Sequence, residues 1–338
     1  MTAPVHAGSL SRRRFLTISA AAAGLAMSPG LALSEAVTQR WRGIALGAGA
    51  EVRLVDSDRD HARKVFAAME AEILRLERVF SLYRADSALT RLNRDGRIVA
   101  PPPELVDLLA TARGIHKATS GAFDPSVQPL WDLYARTFAA EGRAAGTGPD
   151  PAEIRKVLGT TGFDKVEIDP GRVAFEKPGM ALTLNGIAQG YMTDRISALL
   201  KNEGFTDILV NIGEIAASGK DPARTAGWEV LLAPGDGELG SRVVLQDRAV
   251  ATSALSGTTF DREARVSHIL DPRSGLPARS GLAGASVIAP SATIADGLST
   301  AALVCGEKGL ARALEGFKGT RAFLLKTDGG EAMLRAST

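Results

Sequence analysis

The chain has 338 residues, 45% hydrophobic and 23% charged, with a formal net charge of +2. Residues 1–34 hold three arginines and no acid, so taking +3 from +2 leaves −1 for the remainder, which excludes a basic nucleic-acid binder or a polybasic membrane anchor. The single cysteine, Cys305, excludes an internal disulfide framework, and four histidines speak against a His-rich metal site.

Ser11-Arg12-Arg13-Arg14-Phe15-Leu16 is a twin-arginine pattern, followed by an Ala-rich apolar run from Ile18 to Leu33 that Gly24 and Pro29 interrupt. The run is short and small-residued for a membrane span, and Ala32-Leu33-Ser34 offers a cleavage site. The expectation is a twin-arginine signal peptide over residues 1–34, with an uncleaved anchor as the alternative, and a periplasmic domain over residues 35–338. About 300 residues suffice for a large core.

Trp41–Val55 predicts a strand pair with Leu46-Gly47-Ala48-Gly49 as its turn or a bulge. A long amphipathic helix follows over about Ser57–Val79, with Phe66, Met69, Ile73, Leu76 and Val79 as its buried face. Asp86 or Ser87 caps a short helix to Asn93, and Pro101-Pro102-Pro103 introduces a helix over about Glu104–Thr119. Ser120–Pro125 is a turn, residues 141–151 an exposed loop, Ile154–Leu158 a short helix, and Lys165–Ile168 with Arg172–Glu176 a hairpin.

Met180–Leu184 alternates as a strand does, turns on Asn185-Gly186, and leads into a helix to about Lys201. Such a joint is either an ordinary strand–turn–helix connection or a phosphate site made of free N–H groups and a helix dipole. Ile208–Ile212 is a strand, broken at Asn211–Glu214 and resumed over Ile215–Ser218. Trp228–Leu232, Arg242–Leu245, Ala249–Ser253 and Gly284–Ala289 are further strands. A helix capped by Ser291 or Thr293 runs to about Val304, a second covers Lys308–Leu314, and Ala322–Leu325 with Glu331–Leu334 closes the chain as a hairpin. Runs of strands mixed with long helices predict an α+β fold with largely antiparallel sheets.

Asp296 and Thr300 are four apart and share one helix face, so a carboxylate and a hydroxyl could present two hard oxygens to Mg²⁺. The other reading is an Asp serving the helix dipole and a Thr bonded to its own helix.

Six segments in order are similar to the ApbE-type FAD:protein FMN transferases: Phe80–Ser87, Gly121–Pro125, Gly186–Tyr191, Ala251–Gly257, Ser267–Gly275 and Ala295–Ala301. The resemblance runs from about Gly43 to the last hairpin and implies an ApbE-like, T-fold-like architecture. It implies FAD as substrate, contacted by Leu46, Tyr83, Ala122, Phe123, Asp124, Thr183, Gln189 and Leu270. It also implies Mg²⁺ held by the Gly186 carbonyl, Asp296 and Thr300.

Where the family often has Asp and Lys, this chain has Thr183 and Gln189. The two lost charges are opposite and can offset each other. Gln189 still donates a hydrogen bond but, being neutral, should hold phosphate or flavin oxygens less strongly than Lys. The implied reaction moves FMN from FAD onto a Thr or Ser hydroxyl of a periplasmic or membrane redox protein, releasing AMP. His268 is the candidate base, or else a structural His bonded to the Asp271 turn, and Asp296 is a base only if the metal leaves it free. A Mg²⁺-dependent FAD pyrophosphatase uses the same site with water as acceptor. A non-catalytic FAD-binding maturation factor is the third reading, favoured by Thr183 and Gln189.

Overall fold

The computed structural model describes residues 38–336 except 57, 140–147, 225, 234–240, 262 and 264. The twin-arginine segment and most of the 141–151 loop lie outside the described residues.

The hairpin of β1 (Thr38–Ala45) and β2 (Ala48–Val55) turns on Leu46-Gly47, both with positive φ, as a two-residue turn demands. Helix α1 (Arg59–Phe80) starts where the Asp58 carboxylate accepts the amides of Asp60 and His61. It buries Val65, Met69, Ile73, Leu76 and Val79, and leaves Phe66 half-buried. Ser87 caps α2 (Ala88–Asp95) by accepting the Thr90 amide at 3.0 Å. α3 (Pro103–Ala118) follows β3 (Arg97–Val99).

No element is predicted over residues 128–139, yet α4 (Gln128–Ala139) forms there. Its aromatic residues pack on a partner distant in the chain: Tyr134 and Trp131 lie against Phe260. Asp150 caps α5 (Pro151–Leu158), and β4 (Val166–Asp169) with β5 (Arg172–Phe175) joins β3 in a small sheet ordered β3-β5-β4.

The main sheet is eight-stranded and antiparallel throughout, in the order β1-β2-β6-β7-β10-β11-β12-β13. Its remaining strands are β6 (Ile208–Ile212), β7 (Glu214–Ser218), β10 (Arg248–Ala254), β11 (Leu282–Ala289), β12 (Arg321–Lys326) and β13 (Glu331–Arg335). Both faces of its central strands are covered. Ile208, Val210, Ile212, Val287 and Ala289 point into the core shared with α1, α6 (Ala188–Asn202) and α7 (Ala292–Leu314). Their alternates Leu209, Val250 and Ile288 meet Trp228, Val230, Leu232 and Leu245 of the ribbon β8 (Trp228–Leu232) and β9 (Ser241–Leu245). The fold is therefore α+β with antiparallel sheets, as the order of elements predicts. Among the described residues no helix is long and apolar enough to cross a membrane.

Two local expectations are corrected. Met180–Leu184 joins no ladder. Instead the Asn93 side chain bonds both the Leu182 amide and the Leu182 carbonyl, each at 2.8 Å, doing for one residue what a neighbouring strand would. Gly213 does not interrupt one strand but turns β6 into β7 in a tight hairpin pairing Ile212 with Glu214. The two C-terminal helices are as predicted: Gly306, with φ 70° and ψ −176°, leaves the helical conformation and divides the stretch Ala292–Leu314 in two.

Candidate active site

A cleft of about 680 Å³ opens where the end of β10 meets α6, α7 and the Ala122–Asp124 turn. Of the predicted site residues, Tyr83, Ala122, Phe123, Asp124, Thr183, Gly186, Gln189, His268, Leu270, Asp296 and Thr300 all line it. Leu46 does not: it sits in the β1–β2 turn, where its amide donates to Glu77.

The floor is the contact between α6 and α7. The Leu184 carbonyl accepts from Ile187 and Ala188, so the chain turns sharply at Gly186, and α6 then starts with no side-chain cap. The first-turn N–H groups are consequently left for other partners. One of them, from Gly190, donates to Asp296 Oδ2 at 3.0 Å. The glycines of this motif are required by close approach. A Cβ at Gly190 would lie 2.4 Å from the Ala292 carbonyl oxygen, and one at Gly186 would lie 3.0 Å from Thr300 Oγ1. The turn at Gly186 therefore rests directly on Thr300, one helical turn beyond Asp296.

Asp296 is 3% exposed, and the Gly190 amide is its only hydrogen-bond donor among the described residues. Burial pushes its pKa up to about 7, the Gly190 amide opposes this, and the Asp194 charge adds to it. Beside it Glu214, also buried, is raised well above the usual carboxylate range by burial and by the Asp296 charge, against the pull of the Thr252 amide. Thr300 is oriented from β10: Ser253 Oγ lies 2.8 Å from Ser299 Oγ and 3.3 Å from Thr300 Oγ1.

The donor set fits a hard divalent cation. One carboxylate with nearly all its lone pairs unclaimed, one hydroxyl and an adjoining backbone turn supply oxygen only, which suits Mg²⁺ with its remaining positions left to water and phosphate. Among the described residues no group of three or more His, Cys, Asp or Glu could hold a metal ion, so an ion here draws on neutral oxygens as well as on carboxylate.

His268 Nδ1 lies 2.7 Å from the Thr258 carbonyl. A carbonyl only accepts, so the neutral ring carries its proton on Nδ1 and keeps the Nε2 lone pair. Burial lowers its pKa, the Thr258 contact opposing, so that the ring is neutral at pH 7. Its partner is Thr258 and not the Asp271 turn, whose carboxylate pairs with Arg273.

The opposite wall is the Gly121–Pro125 turn. Phe123 is 5% exposed and belongs to the main core, while still bordering the cleft. The Asp124 carboxylate accepts from the Ser126 amide, the Ser126 hydroxyl and the Phe163 amide. Tyr83 stands at the mouth, 63% exposed and hydrogen-bonded to Asn185. Gln189 packs over the Gly213 turn, where a Cβ would meet its amide at 2.4 Å.

Glu214, Ser253 and Asn93 are absent from the sequence-based site. Ser253 and Glu214 carried a signal, since the first lies in the Ala251–Gly257 motif and the second in the break after Ile212. Asn93 carried none, because its partner Leu182 is 89 residues away.

A sequence model of the ApbE family matches residues 46–324. The FAD:protein FMN transferase of Salmonella typhimurium is 28% identical over 290 residues, covering 82% of each chain. That of Treponema pallidum is 32% identical over 294 residues, covering 79% of each. The apo flavinyl transferase ApbE of Pseudomonas stutzeri superposes with a TM-score of 0.75 at 28% identity, over 90% of this chain and 97% of that one. The flavin transferase ApbE of Vibrio cholerae gives a TM-score of 0.76 at 23% identity, over 89% and 98%, and supports the fold alone. With the match spanning most of the chain and reaching every element of the cleft, the protein belongs to the ApbE family.

Proposed function

We propose that this protein is an FAD:protein FMN transferase that requires Mg²⁺. The observation that carries the reading is the buried Asp296 one helical turn from Thr300, with the Gly186 turn seated on that threonine. The names of the relatives at 28% and 32% identity support the activity.

In this reading FAD lies in the cleft with its pyrophosphate at the start of α6, which has no side-chain cap and whose dipole favours anions. Asp296, Thr300 and the Gly186 carbonyl would hold Mg²⁺, which when bound offsets negative charge on the phosphate oxygens. A Thr or Ser hydroxyl of an acceptor protein attacks the phosphorus on the FMN side. The new P–O bond forms as the bond to the AMP phosphate oxygen breaks, and AMP leaves in line. His268 Nε2 takes the hydroxyl proton, since its lone pair is free at neutral pH. Gln189 orients phosphate or flavin oxygens with a neutral N–H donor.

The acceptor is a redox protein of the periplasm or the membrane. Residues 1–34 export the folded chain by the twin-arginine route, on the strength of Arg12 and Arg13 ahead of an apolar run. Arg12→Lys with Arg13→Lys should leave the precursor in the cytoplasm, and normal export of that variant contradicts the route.

The test of the activity is direct. Purified protein is mixed with FAD, Mg²⁺ and a candidate acceptor, and covalent FMN, free FMN and AMP are measured. Covalent FMN with equimolar AMP supports the transferase. Free FMN with AMP supports the pyrophosphatase, in which water replaces the hydroxyl, and retained FAD without AMP supports a carrier.

A further inference from the structure

Helix α6 grips α7 at two levels. At the first, the Gly190 amide donates to Asp296 Oδ2. At the second, four residues further along α6, the Asp194 carboxylate accepts four hydrogen bonds, all from the start of α7. Oδ1 takes the Ala292 amide at 2.8 Å, and Oδ2 takes the Thr293 amide at 2.9 Å, the Ser291 hydroxyl at 2.7 Å and the Thr293 hydroxyl at 2.6 Å. These amides belong to the first turn, where a helix has no acceptors of its own, and a negative charge there is favoured by the dipole. Ser291, the cap from within the chain segment, accepts only the Ile294 amide, at 3.3 Å. The stronger cap of α7 is thus supplied by another helix.

The placement matters for the site. Asp296 lies one helical turn beyond Ala292, and Thr300 one turn beyond that. A helix is stiff over two turns, so fixing residues 291–293 sets both the rotation and the height of Asp296 and Thr300. The contact is also intolerant of slack. An added Cβ at Gly190 would fall 2.4 Å from the Ala292 carbonyl oxygen and 2.8 Å from Asp296 Cβ.

Resting on the magnesium reading above, we propose that Asp194 is a positioning residue for the metal set. It holds α7 on α6 where Asp296 and Thr300 meet the Gly186 carbonyl, and it touches neither ion nor substrate. Groups that orient metal ligands in this way typically govern affinity for the metal more than the chemistry at saturation.

The test uses the mature chain with Mn²⁺ as probe, its binding followed by electron paramagnetic resonance, together with FMN transfer as a function of Mg²⁺ and the melting temperature. Asp194→Asn keeps the shape but presents an amide donor where only acceptors serve. Mn²⁺ binding should weaken by about 10-fold or more, with the Mg²⁺ midpoint for transfer shifting in step. Transfer at saturating Mg²⁺ should return close to the wild-type rate. A variant that loses melting temperature but binds Mn²⁺ as tightly as wild type overturns the inference and leaves Asp194 as a cap only.

Should Asp194→Asn fail to fold, Ser291→Ala with Thr293→Val removes two of the four donors and keeps both amide bonds. It should weaken Mn²⁺ binding in the same direction by a smaller factor, and unchanged affinity there overturns the inference equally. Wild-type protein that binds no Mn²⁺ overturns the magnesium reading itself. Wild type that binds, with variants that bind equally well, overturns this inference alone.

Discussion

The two walls of the cleft each present an aspartate with a buried side chain, and the two are used in opposite ways. Asp124 has three donors on its carboxylate, two from Ser126 and one from Phe163, so its charge is spent holding the turn to the segment that leads into β4. Asp296 has one donor, sits beside Glu214, and has its pKa pushed up to about 7 by burial. A fold gains nothing from a buried carboxylate left with a single hydrogen bond, since burying charge without compensation is costly. Satisfied aspartates build the site, and the unsatisfied one is where a cation or a substrate belongs.

The contrast is sharpened most by exchanging each carboxylate for its amide. Asp296→Asn should cut FMN transfer by about 10²–10³-fold, because a preorganised charge for the transition state is lost. Its melting temperature should hold or rise, since a neutral amide is easier to bury. Asp124→Asn should do the reverse, costing about 2–3 kcal/mol of stability as bonds to a charged acceptor are weakened, with near-normal transfer by the molecules that remain folded. Melting curves and covalent FMN on an acceptor, for both variants, decide the matter; equal behaviour of the two breaks the comparison.

His268→Gln should lower transfer by about 10²-fold by removing the base. The pH profile gives an independent check. Burial lowers the His268 pKa, so the neutral, active form persists below the ordinary histidine pKa of about 6.5. At saturating Mg²⁺, which keeps Asp296 ionised, transfer should be flat above that pH and fall on the acid side of it, and the variant should lack this limb. An acid limb that survives in His268→Gln assigns the base elsewhere.

Gly190→Ala should cost about 1–3 kcal/mol by overpacking, since the added methyl meets the Ala292 carbonyl. Transfer should fall with it as α7 is pushed off α6. Thr300→Val should be the mildest of these changes, about 10-fold in the Mg²⁺ midpoint, because a hydroxyl is a weaker ligand than a carboxylate. A loss in Thr300→Val as deep as in Asp296→Asn would show that the threonine does more than ligate.

Much of this arrangement was legible in the sequence because it is local. The Leu46-Gly47 turn, the Ser87 cap, the apolar stripe of α1 and the i,i+4 pair Asp296/Thr300 follow from spacing alone. What escaped depends on partners distant in the chain. Met180–Leu184 alternates like a strand, yet the Asn93 side chain takes the place of a neighbour. The Asn211–Glu214 break reads as an interruption, since a hairpin turning at Gly213 leaves no room for the usual turn residues. The importance of Asp194 is invisible because its donors lie 97–99 residues later. Of the flavin contacts that the resemblance implies, Leu46 is the one that the fold places away from the cleft.

The central claim is that Asp296 holds the ion that pins FAD in the cleft. Calorimetric titration of FAD into wild-type protein and Asp296→Asn, each with and without Mg²⁺, tests it most directly. The account predicts that Mg²⁺ tightens FAD binding markedly in wild type and leaves the variant unchanged. Equal FAD affinity in all four titrations, or an equal Mg²⁺ effect in both proteins, would contradict it.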